Sequence, residues 1–482
     1  MPFSTYEASV RTLLSYAFIG IVLDSIAYII HIRFRPGLKQ IPGPFLASIS
    51  DLDRIISCAH GRQMDHHIQL HKKYGRLVRI GANHVMFSDA AFTPQVYGIS
   101  SKFMKSDVYL PFDIKTPTGM TSTVFSQRDG TAHRSIRRPI ANAYALSTLK
   151  ELEPMNDACS ATIVRTFDGL VGQDIDLGTW SHWYAFDTIA SITFSNTLSS
   201  MEQGRDIDRI IESIEGRLMY NSVLGQAPSL LGSTIISHMA DMVPPLRIMN
   251  TSQCIVAFAA KQLRRYSCQD FNTVPIKDML DRFKRTKDSG QLIDASRLLS
   301  HATTHETLLS EIDAADRQGT LSDPVTFDEA QNLPYLQAVI REAFPHASCR
   351  WLATRKASCR PEVSKSTESG YARAHGHRRE PWGHGARMRR WSMELTFTIF
   401  RPERWLEASP EKLRLMDRND GSFGAGARDL LFLLEMSKLV PQLYRQVDFE
   451  LTNPEREWEL HDYWFVRQTG LICNVKRRSK NV

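Results

Sequence analysis

The 482-residue chain lacks any cysteine pattern of the kinds that staple a fold or ligate zinc. Its seven cysteines stand at Cys58, Cys159, Cys254, Cys268, Cys349, Cys359 and Cys473, an odd number without metal-type spacing. That argues against a disulfide framework and fits a reducing compartment. A general excess of one charge is missing too. The formal net charge is +7, yet between Pro345 and Trp391 eleven Lys and Arg stand against three Asp and Glu, leaving 48 basic and 49 acidic residues elsewhere. The body is therefore near neutral and offers no broad attraction for nucleic acid. Internal repeats are absent, and no low-complexity tract precedes residue 345. With 42% hydrophobic and 23% charged residues, the composition is globular, enough for one large core or two to three smaller ones.

One long apolar run is present, from Leu13 to Ile32, with Asp24 as its single charge. Twenty helical residues span about 30 Å, the thickness of a bilayer core. Arg33, Arg35 and Lys39 follow it and only Arg11 closely precedes it, which places the large carboxy-terminal part in the cytosol. No small-residue cleavage site follows the run, against a removed leader. A buried soluble helix is the competing reading, supported by the cost of Asp24 in a bilayer. Asn250-Thr-Ser is a formal glycosylation sequon that a cytosolic domain would not expose to the transferase.

Behind the run, Arg35-Pro-Gly and Ile41-Pro-Gly-Pro form a stiff turn, because proline fixes φ and stops a helix. Residues 1–40 thus read as anchor and hinge, and 41–482 as the body. The pattern to about residue 290 is mostly helical. The best hairpin runs from Val78 to Phe87 with its turn at Gly81 to Asn83. Thr326-Phe-Asp-Glu329 is a capping box, and the helix after it carries Leu336, Val339, Ile340 and Ala343 on one face with Glu342 beside them.

The order of these pieces carries a resemblance. An apolar run, a Pro-Gly-Pro hinge, a long helical body, LPYLQAVIREAF at 333–344, FRPERW at 400–405 and FGAGAR at 423–428 follow one another. The chain resembles the eukaryotic microsomal cytochromes P-450, the heme-thiolate monooxygenases, in the style of filamentous-fungal members of secondary metabolism. The likeness covers roughly residues 35–295, 308–344 and 397–482. It implies a mainly α fold with small β-sheets, holding heme between two long helices behind one transmembrane helix. It also implies a single-pass protein of the endoplasmic reticulum membrane that takes electrons from an NADPH-dependent reductase and oxidises a lipophilic small molecule.

Transferred residue by residue, the resemblance is incomplete. His133 and Arg137, four apart on one helical face, match the family's heme-propionate pair; a solvated basic face is the plain alternative. Glu342 and Arg404 match two members of the family's Glu-x-x-Arg triad, but its central arginine is Pro345 here. A triad without that guanidinium leaves a carboxylate short of a partner. Phe423, Gly424, Gly426 and Arg428 fit the heme loop. Two residues on, where the family has its thiolate, stands Leu430, and Phe432 occupies the next glycine's place. Thiolate ligation drives O–O cleavage, and leucine has no lone pair to give. Gly421-Ser-Phe-Gly-Ala-Gly is no phosphate loop, since no Gly-Lys-Ser/Thr follows. The family's oxygen-activating helix is shortened: eighteen steps separate Ile293 from Glu311, about 27 Å as helix. Thr303 and Thr304 there lack the preceding acid of a proton relay, and read as ordinary helix or loop residues.

The basic segment 345–396 has neither helix nor strand period and replaces what the resemblance implies is a β-rich pocket lining. It reads as disordered, and as translation in a shifted frame that recovers near Phe400. Two functional readings compete: a phosphate-binding patch of Arg with interleaved Trp and Tyr, and a metal site at His375, His377 and His384. Neither has supporting spacing. The sequence assigns no catalytic residue and no metal ligand, and the expectation is a monooxygenase by family that is inactive as written. The alternative is a membrane-anchored binding protein that has given up catalysis.

Overall fold

The computed structural model describes residues 3–88, 96, 103–116, 119–228, 257–262, 264, 278–279, 302–343, 401–419, 429–456, 458–463 and 466–478. The fold is mainly α with small antiparallel sheets, as the resemblance implies. Helix α1 (Phe3–Arg33) contains a stretch, Leu13–Arg33, of mean hydropathy 2.0, exposed along most of its length with Ile32 buried at its end. By length and composition it suffices to cross a membrane, as an anchor or as a leader.

The end of α1 is tied to the body. Short helices α2 (Phe45–Ile49) and α3 (Leu52–Ala59) lead to α4 (Gln63–Tyr74) and to the hairpin β1 (Leu77–Gly81) and β2 (His84–Phe87). Arg79 of β1, fully buried, donates from Nη1 to the Arg33 carbonyl at 3.0 Å and from Nη2 to Ile32 at 2.8 Å. Those carbonyls belong to the last turn of α1, which has no intrahelical donor for them. The hinge packs on the same strand: Pro42 accepts from the Arg79 amide at 2.8 Å. A Cβ at Gly43 would collide with the Arg79 carbonyl, so glycine is required for that approach. The hairpin register pairs Val78 with Met86 and Gly81 with His84, leaving Ala82 and Asn83 as the turn.

A second small hairpin joins β3 (Ile114–Thr116) to β4 (Gly119–Thr121). Helix α5 (Gly130–Ile140) is started by Asp129, whose carboxylate accepts from Ala132 N at 2.7 Å. Helices α6 (Glu153–Gly169) and α7 (Leu177–Phe194) flank strand β5 (Asp174–Asp176), and α8 (Ile210–Gly225) follows. In the carboxy-terminal part lie α9 (Ala302–Arg317), α10 (Phe327–Gln331), α11 (334–343), α12 (Glu403–Leu406) and α13 (Asp429–Tyr444). The strands β6 (Val447–Leu451), β7 (Glu459–Asp462), β8 (Val466–Thr469) and β9 (Ile472–Arg477) complete it, with β5, β9 and β6 in one sheet.

The capping box forms as its spacing predicts. Thr326 Oγ1 accepts from Glu329 N at 3.3 Å, and Glu329 Oε2 accepts from Thr326 N at 2.9 Å. Its neighbour α11 buries Leu336, Val339 and Ile340 against Leu308 and Ile312 of α9. The same cluster takes Phe432, Met436, Val440 and Tyr444 from α13, four residues apart each time, a stripe along one face. A second core joins Cys159, Ile163 and Phe167 of α6 to Tyr184 of α7 and Val475 of β9. The basic segment 345–396 lies outside the described residues.

Candidate functional site

Two places were singled out by the sequence, and they differ in what the fold does for them. At the first, α11 ends beside α12. Glu342 is fully buried, and three donors converge on it. Arg404 Nη2 lies 3.0 Å from Oε1, the Arg401 amide donates to the same oxygen at 3.0 Å, and Trp405 Nε1 donates to Oε2 at 2.8 Å. Burial lowers the Arg404 pKa, and the Glu342 charge opposes that shift. The expectation of a carboxylate short of a partner is therefore not met. Pro345 removes one guanidinium, but an indole N–H and a backbone amide take up the lone pairs. Arg341 adds its guanidinium over the Trp405 ring at 5.9 Å.

The surrounding polar groups are equally matched. Glu311 of α9 accepts from the Tyr335 and Leu336 amides at 2.6 and 2.8 Å, capping the start of α11. The Tyr335 hydroxyl donates to Glu403 at 2.8 Å. Sequence reasoning found Glu342 and Arg404 and missed Trp405 and Arg401. The available signal was the FRPERW run itself, whose tryptophan has a polar N–H that needs an acceptor when buried.

At the second place, α13 is already helical at Asp429 and Leu430. Phe423, Gly424, Gly426 and Arg428 lie outside the described residues. The sixteen residues of α13 include no cysteine and no histidine. Phe432, standing for the family's glycine, is buried in the α9–α11–α13 core. Thr303 and Thr304 fall on α9, consistent with an ordinary helical reading.

Among the described residues, α13 and its surroundings in sequence supply no thiolate for a heme. The described cysteines are Cys58 on α3, Cys159 in the α6 core and Cys473 in β9, all buried and remote in sequence from the loop. Burial pushes the Cys159 thiol up to about 11 and Cys473 up to about 12, so both are neutral thiols at neutral pH. Among the described residues no three His, Cys, Asp or Glu are placed to share a metal ion. His133 and Arg137 sit together on α5, the histidine partly buried and the arginine exposed. The loop they would face is outside the described residues.

One cavity among the described residues has a mixed lining rich in charged side chains. A cleft of about 830 Å³ is lined by Asp157, Arg165, Asp323, Gln442, Arg445 and Arg478 among others. Its arginines are engaged: Arg445 pairs with Asp316 at 2.5 Å and Arg478 with Asp313 at 2.5 Å. A lipophilic substrate would require mostly apolar walls.

Comparison with known proteins agrees with the motif order. The family model described as Cytochrome P450 matches residues 36–289. The cytochrome P450 monooxygenase pkfB of Emericella nidulans is 30% identical over 484 residues, covering 92% of this chain and 92% of that protein. The monooxygenase cicH of the same organism is 28% identical over 498 residues, covering 94% of this chain and 96% of its own length. A third, esdpH of Penicillium shearii, is 28% identical over 490 residues, with 92% and 94% covered. The helical fold, the order of motifs and these similarities lead to one conclusion: the chain belongs to the cytochrome P450 monooxygenase family.

Proposed function

We propose that this polypeptide is a membrane-anchored cytochrome P450 relative that does not catalyse monooxygenation as written. The observation that carries this reading is the alkyl side chain of Leu430, two residues past Arg428, on a helix without any cysteine. The family's reaction inserts one oxygen atom into a lipophilic small molecule with electrons from an NADPH-dependent reductase. It rests on a sulfur donor to iron. Without that donor, His133, Arg137, Phe423, Gly424, Gly426 and Arg428 are a cradle for heme that lacks its fastening point. Helix α1 supports placement in the endoplasmic reticulum membrane with the body, residues 41–482, in the cytosol.

The reduced, carbon-monoxide-bound spectrum of the purified full-length protein tests the proposal. No Soret band of the thiolate type is expected, and such a band would overturn it. Sequencing the transcript across codons 295–308, 344–397 and 428–433 separates two origins. A restored Glu-x-x-Arg and cysteine loop would assign catalysis to the corrected chain. A transcript that matches this chain leaves a non-catalytic binding protein, a reading favoured by the satisfied polar groups around Glu342 and the packed stripe of α13.

A further inference from the structure

Away from the places the family resemblance marks, buried donors without acceptors stand on the packed helices α3 and α4, Arg54 among them reaching the end of α8. Arg54 of α3 is 1% exposed, and so are Gln63 and His67 of α4. Gln63 and His67, four apart, share the buried face of α4. Arg54 spends one N–H well: Nη2 donates to the Gln226 carbonyl, just past α8, at 2.8 Å. Its ion-pair partner Asp51 stays at 3.7 Å, beyond hydrogen-bond reach, and accepts from Ala82 N at 3.2 Å instead.

The remaining donors are idle. Nε and Nη1 of Arg54, Nε2 of Gln63 and both ring nitrogens of His67 are buried with no hydrogen-bond partner. A guanidinium taken out of water with three N–H groups unused is one of the more costly arrangements a fold can contain. Core packing does not explain it, because leucine or methionine would fill the same space at no such cost. An acceptor from outside the chain does. The chemistry of the group selects that acceptor. Arginine and a side-chain amide donate to oxygen. Burial, followed by the neighbouring His66, Arg54 and His71, pushes the His67 pKa down to about 3, so its imidazole is neutral. A neutral imidazole donates one N–H without adding a second charge. Arg54 is the one cation among the three side chains, and its idle N–H groups suit an oxyanion.

The helix that carries Arg54 is apolar on its exposed face. The outward side of α3 exposes Leu52 and Ile56, 50% and 51% accessible, while its inner side buries Arg54 and Cys58. Phe45 on adjacent α2 is 71% exposed. Helix α3 is thus turned inside out relative to a soluble amphipathic helix. Such a surface suits a hydrocarbon tail beside a buried charged head.

We propose that Arg54, Gln63 and His67 form a buried oxyanion site that takes the carboxylate head of an amphipathic monoanion. The site uses no heme and requires none. Calorimetric titration and thermal unfolding of the full-length protein in detergent test it with four probes: octanoate, octanol, formate and inorganic phosphate. Octanoate is expected to bind and raise the unfolding temperature, and octanol not to. Binding of formate or phosphate as tight as octanoate would overturn the amphipathic part and leave a free-anion site. Arg54→Met should weaken octanoate about tenfold or more, the loss of charge-assisted hydrogen bonds. Gln63→Leu and His67→Phe, which keep the charge, should each weaken it less. Should Arg54→Met fail to fold, those two variants decide alone, and unchanged affinity in both overturns the proposal. Absence of any anion effect on the parent protein would assign the idle donors to trapped water and overturn it as well.

Discussion

Two buried glutamates, ninety-three positions apart, show opposite ways of burying a carboxylate. Glu342 on α11 lost the arginine its motif implies and is nonetheless surrounded by Arg404, Trp405 and the Arg401 amide. Glu435 on α13 is 7% exposed, and burial alone pushes its pKa up to about 8. The first carboxylate is stabilised by donors of three kinds; the second keeps its proton instead. The comparison extends to the chemistry nearby. A lost hydrogen-bond donor can be replaced by almost any N–H that folding brings within 3 Å. A thiolate ligand has no such substitutes, because metal ligation demands a particular donor atom at a particular place.

Substitutions at the two glutamates sharpen this contrast. Glu342→Ala strands Arg404 and the Trp405 N–H in a dry interior and should cost about 3–5 kcal/mol in denaturant unfolding. A loss below about 1 kcal/mol would place the pair at the surface and break the comparison. Glu435→Gln should act in the opposite direction and depend on pH. The folded carboxyl keeps its proton up to about 8, whereas the unfolded chain releases it near 4.5. The stability of the protonated form is therefore complete below 4.5 and declines as the pH rises towards 8. The glutamine variant escapes that decline, so its advantage should grow by about 1.4 kcal/mol per pH unit across the window and then level off. Parallel stability curves for parent and variant would mean that Glu435 is ionised in the fold. The smallest effect concerns Thr326→Ala at the capping box, about 1 kcal/mol in the same unfolding assay. A much larger loss there would mean that α10 and not the Glu342 cluster secures this part of the core.

Much of the architecture was legible because it is local. The apolar run, the turn at Ala82 and Asn83, the Thr326–Glu329 box and the stripe of Leu336, Val339 and Ile340 depend on spacing within a few turns of chain. The candidate site was legible only in part. Glu342 and Arg404 were visible as motif members, but the Trp405 contact joins residues 63 positions apart. The Arg79 side chain satisfying the last carbonyls of α1 spans 46 and 47 positions. Nor does any period announce Lys438, buried between Glu153 and Asp157 some 280 residues earlier. Such pairs follow from which faces meet, and face pairing is a property of the packed chain.

The amino-acid order by itself determined the family, the membrane-length helix and the leucine that stands two residues past Arg428, since each is a matter of residue identity and spacing. Only the tertiary structure decided that Glu342 is fully partnered, that Glu435 is not, and that Arg54, Gln63 and His67 lie buried with idle donors. The reason is physical: whether a polar atom finds a partner depends on angstrom-scale distances between segments far apart in the chain, and those distances exist only once the helices have packed.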